Sequence, residues 1–112
     1  MYNYLSIQKG QIVLEQKEIL LKLKELKPTY EKEGLILVGL FGSYATETQS
    51  TFSDIDIAYK LDYDRFSKNY KDGFSKILRI DDIKEELQQT FKTKIDFVPD
   101  NNKSILSDII YV

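Results

Sequence analysis

The sequence predicts a small α+β fold, a two-layer α/β arrangement in which helices pack on one face of a mixed β-sheet. Two kinds of observation support this: one apolar run and two alternating stretches have strand length, and longer segments repeat apolar residues at helical spacing. A chain of 112 residues can bury one core but has no room for a second domain. We therefore expect residues 1–112 to form a single domain with the order α-β-β-α-β-α.

The first predicted helix runs from about Gln11 to Leu26, because apolar residues recur there at three- to five-residue steps between charged ones. Pro28 lacks the N–H that a helix interior needs, so we expect it to end this helix. A short second helix would follow from Pro28 to Lys32, and Gly34 would cap it.

The remaining elements follow from the same periodicities. Leu35 to Phe41 is a continuous apolar run, which is typical of a strand buried on both faces. Asp54 to Tyr59 and Lys94 to Val98 alternate polar and apolar residues and are predicted to be half-buried strands. Phe74 to Phe91 has helical periodicity, and Ser104 to Tyr111 is predicted to form a short terminal helix.

Composition narrows the possible chemistry. The chain contains neither histidine nor cysteine, which excludes Ser-His-Asp and Cys-His catalysis, histidine or thiolate zinc sites and disulfides. An enzyme of this composition must use carboxylates, hydroxyls, lysines, backbone groups or a metal bound by oxygen. The 16 basic and 18 acidic residues give a net charge of −2, which argues against long nucleic acid as the main partner.

The N-terminal residues lack the apolar core of a signal peptide, and the longest apolar stretch, Leu35 to Phe41, is too short to span a bilayer. We therefore expect a cytoplasmic protein.

Gly42 and Ser43 directly follow the buried strand. Glycine allows a sharp turn and a close approach to a ligand, and the backbone N–H groups and the Ser43 hydroxyl can hold phosphate oxygens. Taken alone, however, a Gly-Ser after a strand is usually just a turn.

Three aspartates are candidates for a metal site. Asp54 and Asp56 lie two apart on a predicted strand and therefore point to the same face, where their mutual repulsion favours a bound cation such as Mg²⁺. Asp96 joins them if its strand pairs beside theirs. Three carboxylates could then share two Mg²⁺ ions, a charge balance that suits phosphoryl or nucleotidyl transfer. The alternative for each is an exposed surface acid at a strand.

The chain has Gly-Ser, then ten residues, then Asp-x-Asp, and a third strand aspartate follows about forty residues later. This combination resembles the DNA polymerase β-type nucleotidyltransferase superfamily. Within this superfamily, the short chain is most similar to the minimal nucleotidyltransferases. The resemblance covers nearly the whole chain. It implies the nucleotidyltransferase fold, metal binding by Asp54 and Asp56, and a third acid, Asp96, that binds metal and helps to activate the attacking hydroxyl. It also implies that Gly42 and Ser43 hold ATP.

Two further residues of the turn bear on this interpretation. Family members often have a basic residue where this chain has Thr46, which puts any phosphate contact by that side chain in doubt. Tyr44 follows Ser43 and is predicted to lie at the mouth of the site.

Minimal nucleotidyltransferases of this kind are often paired with a HEPN-domain RNase toxin. The resemblance therefore implies a type VII antitoxin that transfers AMP from ATP to a toxin tyrosine, with Mg²⁺ as cofactor. Two alternatives remain open: neutralisation of the HEPN toxin by binding without catalysis, and nucleotidylation of a small molecule. No membrane or direct nucleic-acid partner is expected.

Overall fold

A computed structural model of the protein describes residues 5–8, 11–50, 53–101 and 107–112, and it describes side chains from Glu15 onward. No helix in those ranges is long and apolar enough to cross a membrane. The elements, in chain order, are β1 (Leu5–Gln8), β2 (Gln11–Leu14), α1 (Gln16–Glu31), β3 (Leu35–Phe41), α2 (Gly42–Thr46), β4 (Ile55–Leu61), α3 (Tyr63–Asn69), α4 (Gly73–Phe91), β5 (Ile95–Pro99) and β6 (Ile110–Tyr111).

The main sheet has four strands in the order β5-β4-β3-β6, and β1 and β2 form a separate antiparallel pair. Strand β3 pairs antiparallel with β4 and β6, whereas β4 pairs parallel with β5. The sheet is therefore mixed, and the predicted α+β fold class is confirmed.

Strand β3 contains an irregularity that changes which side chains face the core. The pairing with β4 shifts between Leu37 and Gly39, as expected where one strand carries an extra residue. Leu35 and Leu37 before the shift and Leu40 after it are all fully buried. The shift moves the inward-facing positions by one residue, which explains why this strand lacks a simple alternation in sequence.

One cluster of buried residues joins the helices to the sheet. Helix α1 contributes Ile19 and Leu23, and α4 contributes Ile83, Leu87 and Phe91, all at most 1% exposed. Their partners on the sheet include Leu35, Leu37, Ile55, Ile57 and Ile95.

Arg79 of α4 lies at the centre of a hydrogen-bonded group that includes Glu33, just after α1, and Glu86 of its own helix. Its Nε and Nη2 atoms donate to the two Glu33 carboxylate oxygens at 2.8 Å, and Nη1 donates to Glu86 at 2.9 Å. The Tyr70 hydroxyl also donates to Glu33, and the Tyr30 hydroxyl donates to Glu86 at 2.8 Å. The hydrogen bond from Arg79 lowers the pKa of Glu33 below its usual value.

The predicted start of the first helix is wrong. Gln11–Leu14 forms strand β2, which pairs with β1 in a register that sets Leu5 opposite Leu14 and Ile7 opposite Ile12. Helix α1 begins only at Gln16. Because Ile12 and Leu14 lie two apart, their spacing suits a strand, and cross-strand pairing with a segment of matching alternation outweighs the local helical pattern.

The predicted break at Pro28 is also wrong, since α1 continues through Pro28 to Glu31. The proline is exposed and lies within a turn of the helix end, where the loss of one hydrogen bond has the least effect. Tyr30 holds this last turn in place, because its ring is 5% exposed and its hydroxyl donates to Glu86. Gly34, at φ +99°, follows the helix as expected of a C-terminal glycine.

The predicted terminal helix is not found where the structure describes it, and residues 104–106 lie outside the described ranges. Ile110–Tyr111 forms strand β6 beside β3, and the Val112 N–H donates to Val38 O at 3.0 Å. A Cβ on Gly39 would collide with the Ile110 backbone, so the missing side chain allows the two strands to pair. The predicted order α-β-β-α-β-α is thus correct for β3, β4, α4 and β5, but it lacks α2 and α3 and is wrong at both ends.

Candidate active site

The predicted site lies at the edge of the sheet where β3 ends and β4 and β5 begin. In the strand register, Phe41 is paired with Asp56, and Asp56 is paired with Asp96. Gly42 follows Phe41 directly and starts helix α2. The predicted pairing of the Asp96 strand beside the Asp56 strand is therefore present, and it brings the turn and two aspartates together.

Asp56 and Asp96 form the central pair of this edge. Asp56 is partly buried, and its carboxyl is close enough to Asp96 to share a hydrogen bond. Burial and the neighbouring Asp96 and Asp54 carboxylates raise the pKa of Asp56 to about 6. Asp54 is exposed and lies one residue before β4 begins, and Asp96 is exposed as well. The edge therefore concentrates negative charge around one partly buried carboxyl.

This carboxylate edge has the chemistry of a magnesium site. Carboxylate oxygens are the ligands that Mg²⁺ prefers, and a bound cation would offset both the burial and the carboxylate repulsion that raise the pKa of Asp56. In the part of the chain that the structure describes, no three acidic side chains are close enough together to hold a metal ion jointly. Metal binding by Asp54, Asp56 and Asp96 thus remains a prediction, with donors of the right kind on neighbouring strands.

Gly42 occupies a position that only glycine fits. Its φ is +72°, in the left-handed region that side chains disfavour. A Cβ at this position would also overlap the carboxylate of Asp56. Glycine thus allows the backbone to turn out of β3 directly against the acidic pair.

The carbonyl groups of helix α2 accept hydrogen bonds from side chains and from one loop N–H. The Thr46 hydroxyl lies 3.3 Å from both Gly42 O and Ser43 O, and the Thr48 N–H donates to Ser43 O at 2.9 Å. The Gln16 side-chain amide, from the first residue of α1, donates to the carbonyls of residues 44 and 45 at 2.9 Å each. Gln16 therefore fixes the position of the Gly42–Ser43 turn from a distant part of the chain, a role that the sequence did not indicate.

Tyr44 and Thr46 follow the Gly42–Ser43 turn within helix α2. Tyr44 is not at the mouth of the site, because its side chain is 3% exposed and belongs to the core, and burial raises the pKa of its hydroxyl. The correction has a simple reason: the one-turn helix after Gly42 points residue 44 back towards the sheet. Ser43 is partly exposed beside it, and Thr46 is exposed with its hydroxyl engaged by the turn's own carbonyls.

Comparison with known proteins agrees with this geometry. The family model described as Polymerase beta, Nucleotidyltransferase matches residues 22–111, a range that includes the turn and all three aspartates. Three proteins of Methanocaldococcus jannaschii, each named "Putative protein adenylyltransferase", are similar over 106 residues, one at 38% and two at 33% identity. Each alignment covers 88% of this chain and 95% of the relative.

No solved structure matches the chain with significance. The family match alone spans well over half of the 112 residues. The chain therefore belongs to the polymerase beta nucleotidyltransferase family, as one of its minimal nucleotidyltransferases.

Proposed function

We propose that this protein is a protein adenylyltransferase that moves AMP from ATP to a tyrosine hydroxyl of a partner protein. The partner we propose is a HEPN-domain RNase toxin, which the modification would inactivate, so that the chain acts as a type VII antitoxin. The observation that carries the proposal is the register that sets Asp56 opposite Asp96 beside the Gly42 turn. The names of the Methanocaldococcus jannaschii relatives support a protein as acceptor.

Each part of the site has a role in this proposal. The Gly42–Ser43 turn would hold the triphosphate through backbone N–H groups and the Ser43 hydroxyl. Asp54, Asp56 and Asp96 would hold two Mg²⁺ ions. When bound, these ions would neutralise the carboxylates and stabilise negative charge on the triphosphate. Gln16 would keep the turn in position, since it binds the two carbonyls that follow Ser43.

The reaction conserves charge and atoms without a further reactant. The acceptor hydroxyl oxygen attacks the α-phosphorus and forms a new P–O bond, while the bond between the α-phosphorus and the bridging oxygen to the β-phosphate breaks. Pyrophosphate leaves with that bridging oxygen. The proton of the hydroxyl would pass to the carboxylate of Asp96, which is exposed and paired with Asp56 across the two parallel strands.

The openness of the edge favours a macromolecular acceptor. Asp54 and Asp96 are exposed, and the described grooves of about 340, 250 and 460 Å³ are lined by other residues. A small substrate normally binds in a concave pocket that covers most of its surface. At this edge, the surface of a partner protein would supply the missing wall.

Label transfer tests the proposal. The protein is incubated with Mg²⁺, ATP labelled at the α-phosphate and the product of the adjacent gene, which the proposal expects to be a HEPN-domain protein. Label on a tyrosine is located by mass spectrometry. We expect label from the α-phosphate and none from ATP labelled at the γ-phosphate. The double variant Asp54→Asn/Asp56→Asn should lose at least about a hundredfold in transfer rate.

The remaining outcomes separate the alternatives. Transfer of the γ-label would mean phosphorylation and would refute the adenylyl transfer. If no label is transferred, while wild type and the double variant neutralise the toxin equally well, the protein acts by binding alone.

A further inference from the structure

Strand β5, which carries Asp96, lies at the edge of the main sheet. The strand order is β5-β4-β3-β6, so within the described ranges β4 borders β5 on one side and no strand borders it on the other. An edge strand directs alternate backbone N–H and C=O groups away from the sheet, where they need other partners. The position of Asp96 therefore depends partly on what holds the outer side of β5.

One hydrogen bond defines which residues at the start of β5 face outward. The Ile55 N–H donates to Lys94 O at 3.0 Å. Because every second residue of a parallel strand bonds to the same neighbour, Asp96 also directs its backbone groups towards β4. Ile95, which lies between Lys94 and Asp96, directs its N–H to the outer side.

The side chain of Gln88 supplies the partner that this N–H needs. Its Oε1 atom accepts a hydrogen bond from the Ile95 N–H at 3.2 Å. Gln88 lies in the last turn of α4, directly after the buried Leu87 and three residues before the buried Phe91. Ile95 is buried as well. A side chain at the end of a core helix thus takes the place of a neighbouring strand at the first residue of β5.

The link between α4 and β5 is short, and the contact from Gln88 lies just beyond it. Residues 92–94 form the link, and Lys92 ends the helix with a φ of +55°. The pairing with β4 then holds Asp96 from the inner side, in register with Asp56. Gln88 holds the preceding residue from the outer side, so the start of β5 is fixed from both directions.

We propose that Gln88 is a positioning residue, which holds the start of β5 so that Asp96 lies beside Asp56. Gln88 acts through the strand, because its bond is to a backbone N–H on the outer side. Its effect on catalysis rests on the proposed function, in which Asp96 accepts the proton of the attacking hydroxyl. Catalysis is sensitive to such support, since a displacement of about 1 Å can lower a rate about a hundredfold.

Amide hydrogen exchange, followed by NMR on the whole chain, tests the contact without any need for activity. Gln88→Leu removes the acceptor, Gln88→Glu keeps an oxygen there, and Gln89→Leu changes the next, exposed residue as a matched control. We expect Gln88→Leu to raise exchange at Ile95 and Asp96 at least about tenfold, and the other two variants to stay within about twofold of wild type. The amide of Ile83, in the middle of α4, should stay protected in every variant, which shows that the fold is intact.

The kinetics of AMP transfer test the positioning role. Well below the melting temperature of each variant, Gln88→Leu should lower kcat at least about tenfold and change KM for ATP less than about threefold. Gln88→Glu should restore most of the rate, and Gln89→Leu should leave it unchanged. A variant that is only less stable would keep the wild-type kcat at such a temperature.

Each outcome decides the proposal. Unchanged exchange at Asp96 in Gln88→Leu overturns it, and so does faster exchange with a wild-type kcat, which would make Gln88 a structural contact only. If the wild type itself transfers no AMP, the proposed function fails, and the exchange of the Asp96 amide alone decides whether Gln88 holds this residue. Gln88→Asn, which is one methylene shorter, serves in the same tests if Gln88→Leu does not fold.

Discussion

Replacing Asp56 by asparagine should stabilise the protein while it abolishes catalysis. The substitution keeps the shape of the side chain and removes its charge. Burial and the Asp96 and Asp54 carboxylates raise the pKa of Asp56 from 3.8 to about 6, so the folded state disfavours the ionised form. At pH 8 the wild-type carboxyl is ionised despite this, whereas asparagine avoids the penalty and can donate to Asp96.

The expected size follows from proton linkage. The folded-state pKa of Asp56 lies about two units above the unfolded value, and one unit corresponds to about 1.4 kcal/mol. The upper limit is therefore about 3 kcal/mol, and because Asp56 is only partly buried we expect about 1–2 kcal/mol. For a chain of this size, that corresponds to a melting temperature about 4–8 °C higher.

The pH dependence has a definite sign. A raised carboxyl pKa stabilises the fold fully below the unfolded value of 3.8, and this contribution is lost as pH rises through about 6. The advantage of Asp56→Asn should therefore be absent below pH 4 and complete above pH 7. Asp82→Asn, on the exposed face of α4, is the control and should change stability by less than about 0.5 kcal/mol.

The assay is thermal unfolding at several pH values, with and without millimolar Mg²⁺. In the absence of Mg²⁺, a variant no more stable than wild type at pH 8 would refute the argument from repulsion. With Mg²⁺, we expect the melting temperature of the wild type to rise and that of Asp56→Asn to stay unchanged. No effect of Mg²⁺ on the wild type would count against the metal site.

Three further substitutions test other parts of the structure. Gly42→Ala should lower the free energy of unfolding by about 2 kcal/mol and abolish AMP transfer, because the residue has a positive φ and no room for a Cβ. Denaturant unfolding measures the first effect and label transfer the second. Gln16→Ala should raise KM for ATP about tenfold with a smaller change in kcat, because it removes the two hydrogen bonds to the carbonyls of α2. Gln16→Glu should have the same effect, since a carboxylate cannot donate these bonds, and steady-state kinetics measure both variants. Arg79→Met should cost about 2–4 kcal/mol in urea unfolding at pH 7, because it leaves the partly buried Glu33 carboxylate without its bidentate partner.

The sheet core could be predicted because its pattern is local and strong. The run Leu35–Phe41 and the alternation around Ile55 and Ile57 identify β3 and β4, and the third strand around Asp96 follows the same rule. The shift of register at Val38 could not be predicted, because an extra residue in an apolar run leaves the composition unchanged.

The sequence predicts helices over Gln11 to Leu26 and over Ser104 to Tyr111, but strands β2 and β6 lie in the described parts of these ranges. Strand β6 has only two residues and depends on the absence of a side chain at Gly39, about seventy residues away. Strand β2 depends in the same way on its pairing with β1. Such short strands are stabilised by their partners rather than by their own residues, so a local pattern does not identify them.

The role of Gln16 could not be predicted either, because it depends on where helix α1 begins. A helix that begins at Gln11 places Gln16 in its second turn, where a glutamine is an ordinary surface residue. Helix α1 instead begins at Gln16, directly after Glu15 in extended conformation, so its side chain lies at the helix end and reaches the carbonyls of α2. One misplaced helix boundary therefore concealed the residue whose side chain contacts helix α2 directly after the Gly42–Ser43 turn, whereas residue type and spacing drew attention to Gly42 and the aspartates.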